Sequence, residues 1–141
     1  MSDCIFCAIV AEEAPSLTVH RDETTVAFLD IHPATEGHLL VVPRRHSTDL
    51  MEISESDLAD VVLTARRLAR AVTGVVGAQG VNLLNCCGAE AWQTVFHFHM
   101  HVIPRFGDEE RDPLELPWRP DVPGDPDSMQ QVATRLGDRL G

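Results

Sequence analysis

The sequence is poor in basic residues relative to acidic ones. Its 141 residues contain 11 Lys and Arg against 22 Asp and Glu, and the formal net charge is −11. Nucleic-acid binding draws most of its affinity from basic groups that neutralise phosphates, so this balance argues against a nucleic-acid partner. A small nucleotide stays allowed, because it needs only a local pocket of hydrogen-bond donors.

Long apolar runs are also absent from the sequence, and its first residues do not resemble a signal peptide. No window approaches about 18 consecutive apolar residues, so we expect no membrane span and no membrane partner. Residues 1–4 lack the basic and apolar segments of a signal peptide, so we expect a cytoplasmic location. In a reducing compartment the four cysteines are ligands or passive thiols rather than disulfides. The length fits one domain.

Residues 96–103 carry the clearest pattern, because apolar residues and histidines alternate there strictly. A period of two predicts a β-strand, in which successive side chains point to opposite faces. The face expected in the core consists of Phe96, Phe98, Met100 and Val102. The opposite face carries His97, His99 and His101.

Three interpretations of the histidine face compete. It is a half-exposed strand that carries histidines by chance, a catalytic zinc site, or a nucleophilic histidine with phosphate-binding neighbours. His97 and His101 are about 13 Å apart along a strand, too far for one zinc with Zn–N bonds near about 2.0 Å. At most two of the three imidazoles therefore share one ion.

The rest of the first 106 residues is interpreted as strands around one long helix. Strands are predicted over residues 17–20, 25–29, 37–43 and 80–87, with the third covered on both faces. Ser54 is the expected N-cap of the helix, and Gly74 or Gly77 ends it. His20, His32 and His38 are interpreted as plain surface or packed residues. Arg44 and Arg45 either hold a phosphate or belong to a solvated turn.

The two ends of the chain differ from this centre. Cys4 and Cys7 are spaced so that both thiolates can reach one zinc, but they supply only half of a tetrahedral site. Either histidines complete the site, or the two thiols bind no metal and are inert or redox-active. Residues 107–127 are rich in proline and acids and suggest an extended arm. Asp127 is expected to cap a short helix. One side of that helix carries Met129, Val132, Leu136 and Leu140.

Together, four segments resemble the histidine triad (HIT) family in chain order. They are Cys4–Cys7, Phe28–Ile31, Gly37–His46 and Gly88–His101, and the likeness runs from residue 3 to residue 106. The resemblance implies an α+β fold: an antiparallel five-stranded sheet with one main helix and a short C-terminal helix. It implies a HIT domain over residues 1–106, on which residues 107–141 pack, and a homodimer with a continuous sheet.

The resemblance also implies a mechanism. His99 attacks the α-phosphorus of a nucleoside 5′-monophosphate conjugate and forms a covalent nucleotidyl-histidine, which water then hydrolyses. A main-chain carbonyl is expected to fix the tautomer of His99. His101 holds a phosphate oxygen, and Gln93 positions the leaving group and then the water. Backbone N–H groups near Thr94 and Val95 bind the developing charge.

A nucleoside pocket follows from the same resemblance. Asp30 accepts hydrogen bonds from the ribose hydroxyls, and Asn85 lies near the phosphate. The apolar base-binding positions, of which the first two also fit ordinary core, are Phe6, Ile9, Phe28 and Ile31.

Resemblance to a zinc-carrying, Hint-like bacterial branch of the family implies a structural zinc in a closed Cys₂His₂ site. Its ligands would be Cys4, Cys7, His46 and His97. The competing interpretation is that His97 orients the nucleophile and no metal binds.

Two departures from the family pattern stand near the triad. Trp92 occupies a position where the family usually has Gly, and it either narrows the leaving-group side, stacks on a substrate, or covers the loop. Cys86 and Cys87 replace polar residues and are either packed thiols or an oxidation-sensitive site.

We therefore expect a hydrolase or transferase of adenosine 5′-phosphoramidates or related AMP conjugates. A dinucleoside polyphosphate hydrolase uses the same site and is the first alternative. A nucleotide-binding regulator with incidental turnover, and a metal-dependent hydrolase that uses the triad as ligands, are the others.

Overall fold

A five-stranded antiparallel sheet is the centre of the computed structural model, which describes residues 3–141. The strand order is β1-β2-β3-β5-β4, and all four pairs are antiparallel. The strands are β1 (Thr18–Arg21), β2 (Thr25–Leu29), β3 (Leu39–Pro43), β4 (Gly80–Leu84) and β5 (Met100–Arg105). The predicted α+β fold with a five-stranded sheet is confirmed.

Three α-helices accompany the sheet within residues 3–141: α1 (Ile5–Val10), α2 (Glu55–Val76) and α3 (Pro126–Leu140). The predicted cap of α2 is confirmed, because the Ser54 side chain accepts the Asp57 N–H at 3.2 Å. Gly77 ends the helix with a φ of 70°, a left-handed conformation that costs glycine little. No helix within the described residues is both long enough and apolar enough to cross a bilayer.

Both faces of the sheet are covered. Helix α2 packs on one face against a cluster that includes Leu39 and Val41. The other face carries a second cluster, to which Leu40, Val42 and Phe6 of α1 belong. Because successive residues of β3 point into different clusters, the whole strand is buried, as its continuous apolar sequence predicts.

The histidine segment departs from its predicted strand. Strand β5 begins at Met100, and the chain bends at residues 95–97 instead of continuing the ladder. Phe98 is fully buried and donates its N–H to the Ser47 carbonyl at 2.7 Å, but Phe96 is 49% exposed. The prediction that Phe96 belongs to the core was wrong, because the bend ends the strand periodicity before it. Strand β4 likewise ends at Leu84, short of the predicted residue 87.

The C-terminal arm leaves the sheet after β5. Its helix begins after Asp125, whose carboxylate accepts the Ser128 N–H at 2.9 Å. The predicted cap at Asp127 was wrong by two residues, because Pro126 suits the first helical position. Every residue from 113 to 141 is exposed in the single chain. The predicted division at residues 106 and 107, with the arm packed on the domain, stays a prediction.

Candidate active site and metal centre

His99 is buried at the base of an open cavity, and one of its ring nitrogens is held by the main chain. Its Nδ1 lies 2.7 Å from the His97 carbonyl oxygen. A carbonyl can only accept, so Nδ1 carries the proton and Nε2 keeps its lone pair in the neutral ring. Burial lowers the pKa of His99 below its usual value. At neutral pH the ring is therefore an uncharged base with one nitrogen available to react.

A second chain of hydrogen bonds fixes the tautomer of His101. The Ala34 N–H donates to Nδ1 of His38 at 2.9 Å, so the proton of the neutral His38 ring is on Nε2. That nitrogen lies 2.8 Å from Nδ1 of His101. His101 therefore accepts at Nδ1 and carries its own proton on Nε2. Burial lowers the pKa of His101 to about 4, so this donor is uncharged in the ligand-free site.

His38 is the functional residue that the sequence interpretation missed. The sequence predicts a plain packed or surface residue here. In the structure, however, His38 is 5% exposed and lies between His101 and Asp30, whose Oδ2 is 3.6 Å from His38 Nε2. Burial lowers the pKa of His38 as well. The feature that reveals His38 is the register between β3 and β5. Leu40 pairs with His101, and this pairing places His38 just beyond the paired residues.

The cavity has a volume of about 540 Å³ and opens beside helix α1. Its polar side carries His99, His101 and Asp30. Phe6 packs edge-on against both Phe28 and His99, with ring centroids 5.4 and 5.1 Å apart. The other predicted pocket residues that line the cavity are Ile9, Ile31, Thr94 and Val95.

Asn85 and Gln93 support this cavity without lining it. The Asn85 side chain donates to the His99 carbonyl at 3.0 Å. Gln93 is buried; its Oε1 accepts the Gly88 N–H, and its Nε2 donates to the carbonyls of Thr48 and Val95. Both amide hydrogens are thus in use, and Gln93 clamps the loop before the triad. Its predicted role toward the leaving group stays a prediction.

The two departures near the triad have structural explanations. Trp92 has a φ of 72° and is 66% exposed. This left-handed conformation explains why glycine suits the position, since a bulky side chain is strained there. Cys86 is buried, and burial raises the pKa of its thiol, which favours the packed-thiol interpretation over an oxidation-sensitive one.

A separate Cys/His cluster lies around Nδ1 of His97. Nδ1 of His97 is 3.4 Å from Sγ of Cys4, 3.4 Å from Sγ of Cys7 and 3.2 Å from Nδ1 of His46. His46 Nδ1 is in turn 3.3 Å from Cys7 Sγ. All four predicted ligands are therefore brought together.

These distances fit a tetrahedral metal. Zn–N bonds of about 2.0 Å and Zn–S bonds of about 2.3 Å give N–N edges of about 3.3 Å and N–S edges of about 3.5 Å. His97 also donates from Nε2 to the Pro43 carbonyl at 2.9 Å, which leaves Nδ1 unprotonated toward the cluster. Burial lowers the pKa of His97 to about 4, so its ring is neutral. The donor set suits zinc and has no open position.

Comparison with known proteins identifies the family. The HIT domain matches residues 11–108. The chain is 36% identical over 139 residues to Protein hit of Bacillus subtilis, covering 98% of this chain and 94% of that protein. It is 36% identical over 113 residues to adenylylsulfatase HINT3 of Arabidopsis thaliana, covering 80% and 56%. The chain belongs to the HIT domain family.

Solved structures support this assignment. SMU.412c of Streptococcus mutans has a TM-score of 0.90 and 36% identity, covering 100% of this chain and 87% of that one. A histidine triad nucleotide-binding protein from Candida albicans has a TM-score of 0.84 and 32% identity, covering 98% and 97%. A zinc-bound histidine triad protein from Mycobacterium smegmatis has a TM-score of 0.75 and 38% identity, covering 83% and 85%.

The first of these similarities extends to the C-terminal arm. Residues 113–141 are about a fifth of the chain, and the S. mutans comparison covers the whole chain at a TM-score of 0.90. So high a score over the full length requires that the arm follows a similar path in both proteins.

Proposed function

We propose that the protein is a nucleotidyl hydrolase or transferase that cleaves adenosine 5′-phosphoramidates or related AMP conjugates. The observation that carries the proposal is His99: a neutral imidazole whose Nδ1 is bound to a carbonyl and whose ring lines the cavity. Nε2 attacks the α-phosphorus, and the bond to the leaving group breaks as that group takes a proton from solvent, which the hydrolysis step later returns. Water then attacks the phosphorus, releases AMP and restores the free imidazole.

The remaining cavity residues have roles suited to a nucleoside monophosphate. His101 donates from Nε2 to a non-bridging phosphate oxygen, and backbone N–H groups of Thr94 and Val95 bind the charge that develops. Asp30 accepts from the ribose hydroxyls, and Phe6 and Phe28 pack on the base. The C. albicans and A. thaliana relatives, which are named a nucleotide-binding protein and an adenylylsulfatase, support this substrate class.

A structural zinc belongs to the proposal. Cys4, Cys7, His46 and His97 would hold the ion and tie the N-terminus to β3 and to the histidine segment. The distances within the cluster and the zinc-bound relative from M. smegmatis support this role. Because the site is closed, the ion contributes to folding and not to chemistry.

The test compares three substrates and one pair of variants. The purified protein is incubated with an AMP–amine conjugate, adenylyl sulfate and a diadenosine polyphosphate, and AMP release is followed. We expect the amine conjugate to react with the highest kcat/KM. His99→Ala and His99→Gly should lower kcat by about 10⁴-fold or more while the Kd for AMP changes only a few-fold.

Other results would favour the alternatives. Fastest cleavage of the diadenosine compound would indicate a dinucleoside polyphosphate hydrolase. Tight AMP binding without turnover of any substrate would indicate a regulator. Immediate loss of activity with a chelator, while circular dichroism shows a folded protein, would indicate a metal-dependent hydrolase.

A further inference from the structure

Trp92 has a backbone conformation that disfavours its bulky side chain. Its φ of 72° and ψ of 17° lie in the left-handed region, where a large residue is strained. The residue is 66% exposed and belongs to neither apolar cluster of the described residues, so packing within the chain does not offset this strain. Strained residues of this kind occur mainly where a protein contacts a ligand.

The loop that carries Trp92 is fixed in place and borders the cavity. The Gln93 side chain accepts the Gly88 N–H at 2.7 Å, and the Gly88 carbonyl accepts the Gln93 N–H at 3.1 Å. Thr94 and Val95, the next two residues, line the cavity. Two residues span at most about 7 Å of chain, so Trp92 lies at the mouth of the cavity.

The proposed reaction directs the leaving group toward this mouth. The attacking atom and the leaving group lie on opposite sides of the phosphorus in an in-line displacement. His99 is 5% exposed at the base of the cavity, so a group opposite its Nε2 points outward to solvent. The far end of the leaving group therefore passes the loop that carries Trp92.

Charge selects the kind of leaving group. The 11 basic residues of the chain are all arginines, and none of them lines the cavity within the described residues. Asp30 places a carboxylate in the cavity, and Glu90 is exposed on the loop that carries Trp92. A polyphosphate would find no counter-charge here and would be repelled by a chain of net charge −11. A cation is attracted, and indole is the aromatic ring whose face binds cations best.

We propose that Trp92 determines leaving-group specificity: the face of its indole ring binds a positively charged group on the amine that is released from AMP. The inference rests on the proposed function and deepens it, because it names the chemical class of the leaving group. The charged group is several bonds from the phosphorus, so Trp92 binds the leaving group and takes no part in bond breaking. Such a contact gives a reason for strain at a position where glycine would relieve it.

The first test compares two AMP conjugates of equal length. In one the amine is diaminobutane, which ends in an ammonium group, and in the other it is pentylamine, which ends in a methyl group. We expect kcat/KM of the wild type to be at least about 5-fold higher for the charged conjugate.

Three variants test whether Trp92 causes this preference. Trp92→Leu should lower the ratio of the two kcat/KM values by at least about 3-fold, whereas Trp92→Phe should keep part of it because an aromatic ring remains. Trp118→Leu is the matched control, because it removes the other exposed tryptophan. An equal ratio in Trp92→Leu and wild type, or a wild type that prefers the pentylamine conjugate, would overturn the inference.

A second test needs no turnover. In the double variant Trp118→Phe/His99→Ala, Trp92 is the remaining tryptophan and the conjugates are not cleaved, so its fluorescence reports binding. We expect its emission to change on saturation with the diaminobutane conjugate, whose Kd should be at least about 3-fold lower than that of the pentylamine conjugate. Unchanged emission at saturation, or equal Kd values, would overturn the inference. If the wild type cleaves neither conjugate, the proposed function fails, and this titration still decides whether Trp92 binds the charged group.

Discussion

His97 and His99 are two residues apart and both buried, yet they offer opposite nitrogens to their surroundings. The Pro43 carbonyl binds Nε2 of His97 and leaves Nδ1 to the thiols and to His46. The carbonyl of His97 itself binds Nδ1 of His99, whose other nitrogen is left unprotonated in the cavity. A main-chain acceptor thus decides which nitrogen of each ring is available. These opposite orientations suit the two proposed roles, a metal ligand for His97 and a nucleophile for His99.

Among these variants, removal of the proposed zinc ligands should have the largest effect. Cys4→Ser/Cys7→Ser removes half of the proposed ligands, so we expect zinc content to fall from one ion per chain to near zero. Because structural zinc contributes its binding free energy to folding, Tm should fall by about 10 °C or more. Elemental analysis and calorimetry measure the two effects. Cys87→Ser is the matched control, and a double variant with unchanged zinc and Tm would refute the assignment.

On the cavity side, His38 is proposed as a positioning residue that acts through His101. His38→Ala removes the donor to His101 Nδ1, so kcat for an AMP–amine conjugate should fall by about 10- to 100-fold with little change in KM. His38→Gln keeps an N–H donor and should recover part of the rate. The control is His20→Gln, because His20 does not line the cavity. Equal rates for the alanine and glutamine variants would argue for a merely structural role.

Protonation of the buried cavity histidine His101 should destabilise the folded protein. In the folded protein the pKa of His101 is lowered from 6.5 to about 4. The contribution of this histidine to the free energy of unfolding is therefore fully present above pH 6.5. That contribution is lost as the pH falls from 6.5 toward 4, because the unfolded chain binds the proton more tightly. The free energy of unfolding should drop by roughly 1–3 kcal/mol over this range.

Denaturant titrations at several pH values check this dependence. In His101→Asn the slope between pH 6.5 and pH 4 should be smaller, whereas the exposed variant His32→Asn should keep it. An identical slope in His101→Asn and wild type would show that this ring does not contribute.

The smallest effect is expected in the loop that precedes both histidines. Trp92→Gly relieves the left-handed strain and should raise the free energy of unfolding by about 1 kcal/mol. Trp92→Ala removes the same ring but keeps a Cβ, so it should not be more stable than wild type. Urea denaturation measures both, and equal stability of the two variants would show that strain is absent.

Much of the fold follows from local patterns in the sequence. Strand β2 was predicted with the bounds that it has, because a short apolar segment and the preceding turn define it. Ser54 caps α2 because a hydroxyl before an amphipathic run suits that position. Helix α1 was missed because six residues are too few to express a period, and its cap is the Cys4 thiol, which accepts the Cys7 N–H.

The site was less accessible to the same reasoning. The grouping of the four Cys/His ligands was expected from family resemblance, and no local pattern links residues so distant in the chain. The role of His38 depends on the register between β3 and β5 and on the Ala34 N–H, neither of which periodicity encodes. The exposure of Phe96 depends on the bend at residues 95–97, which the strict alternation conceals.

The most direct measurement of the central claim is mass spectrometry of protein quenched during turnover of an AMP–amine conjugate. Peptide mapping should find AMP attached to His99 and to no other side chain, and the adduct should be absent from His99→Ala. Turnover with no adduct at any quench time, or an adduct on His97 or His101 instead, would contradict the account.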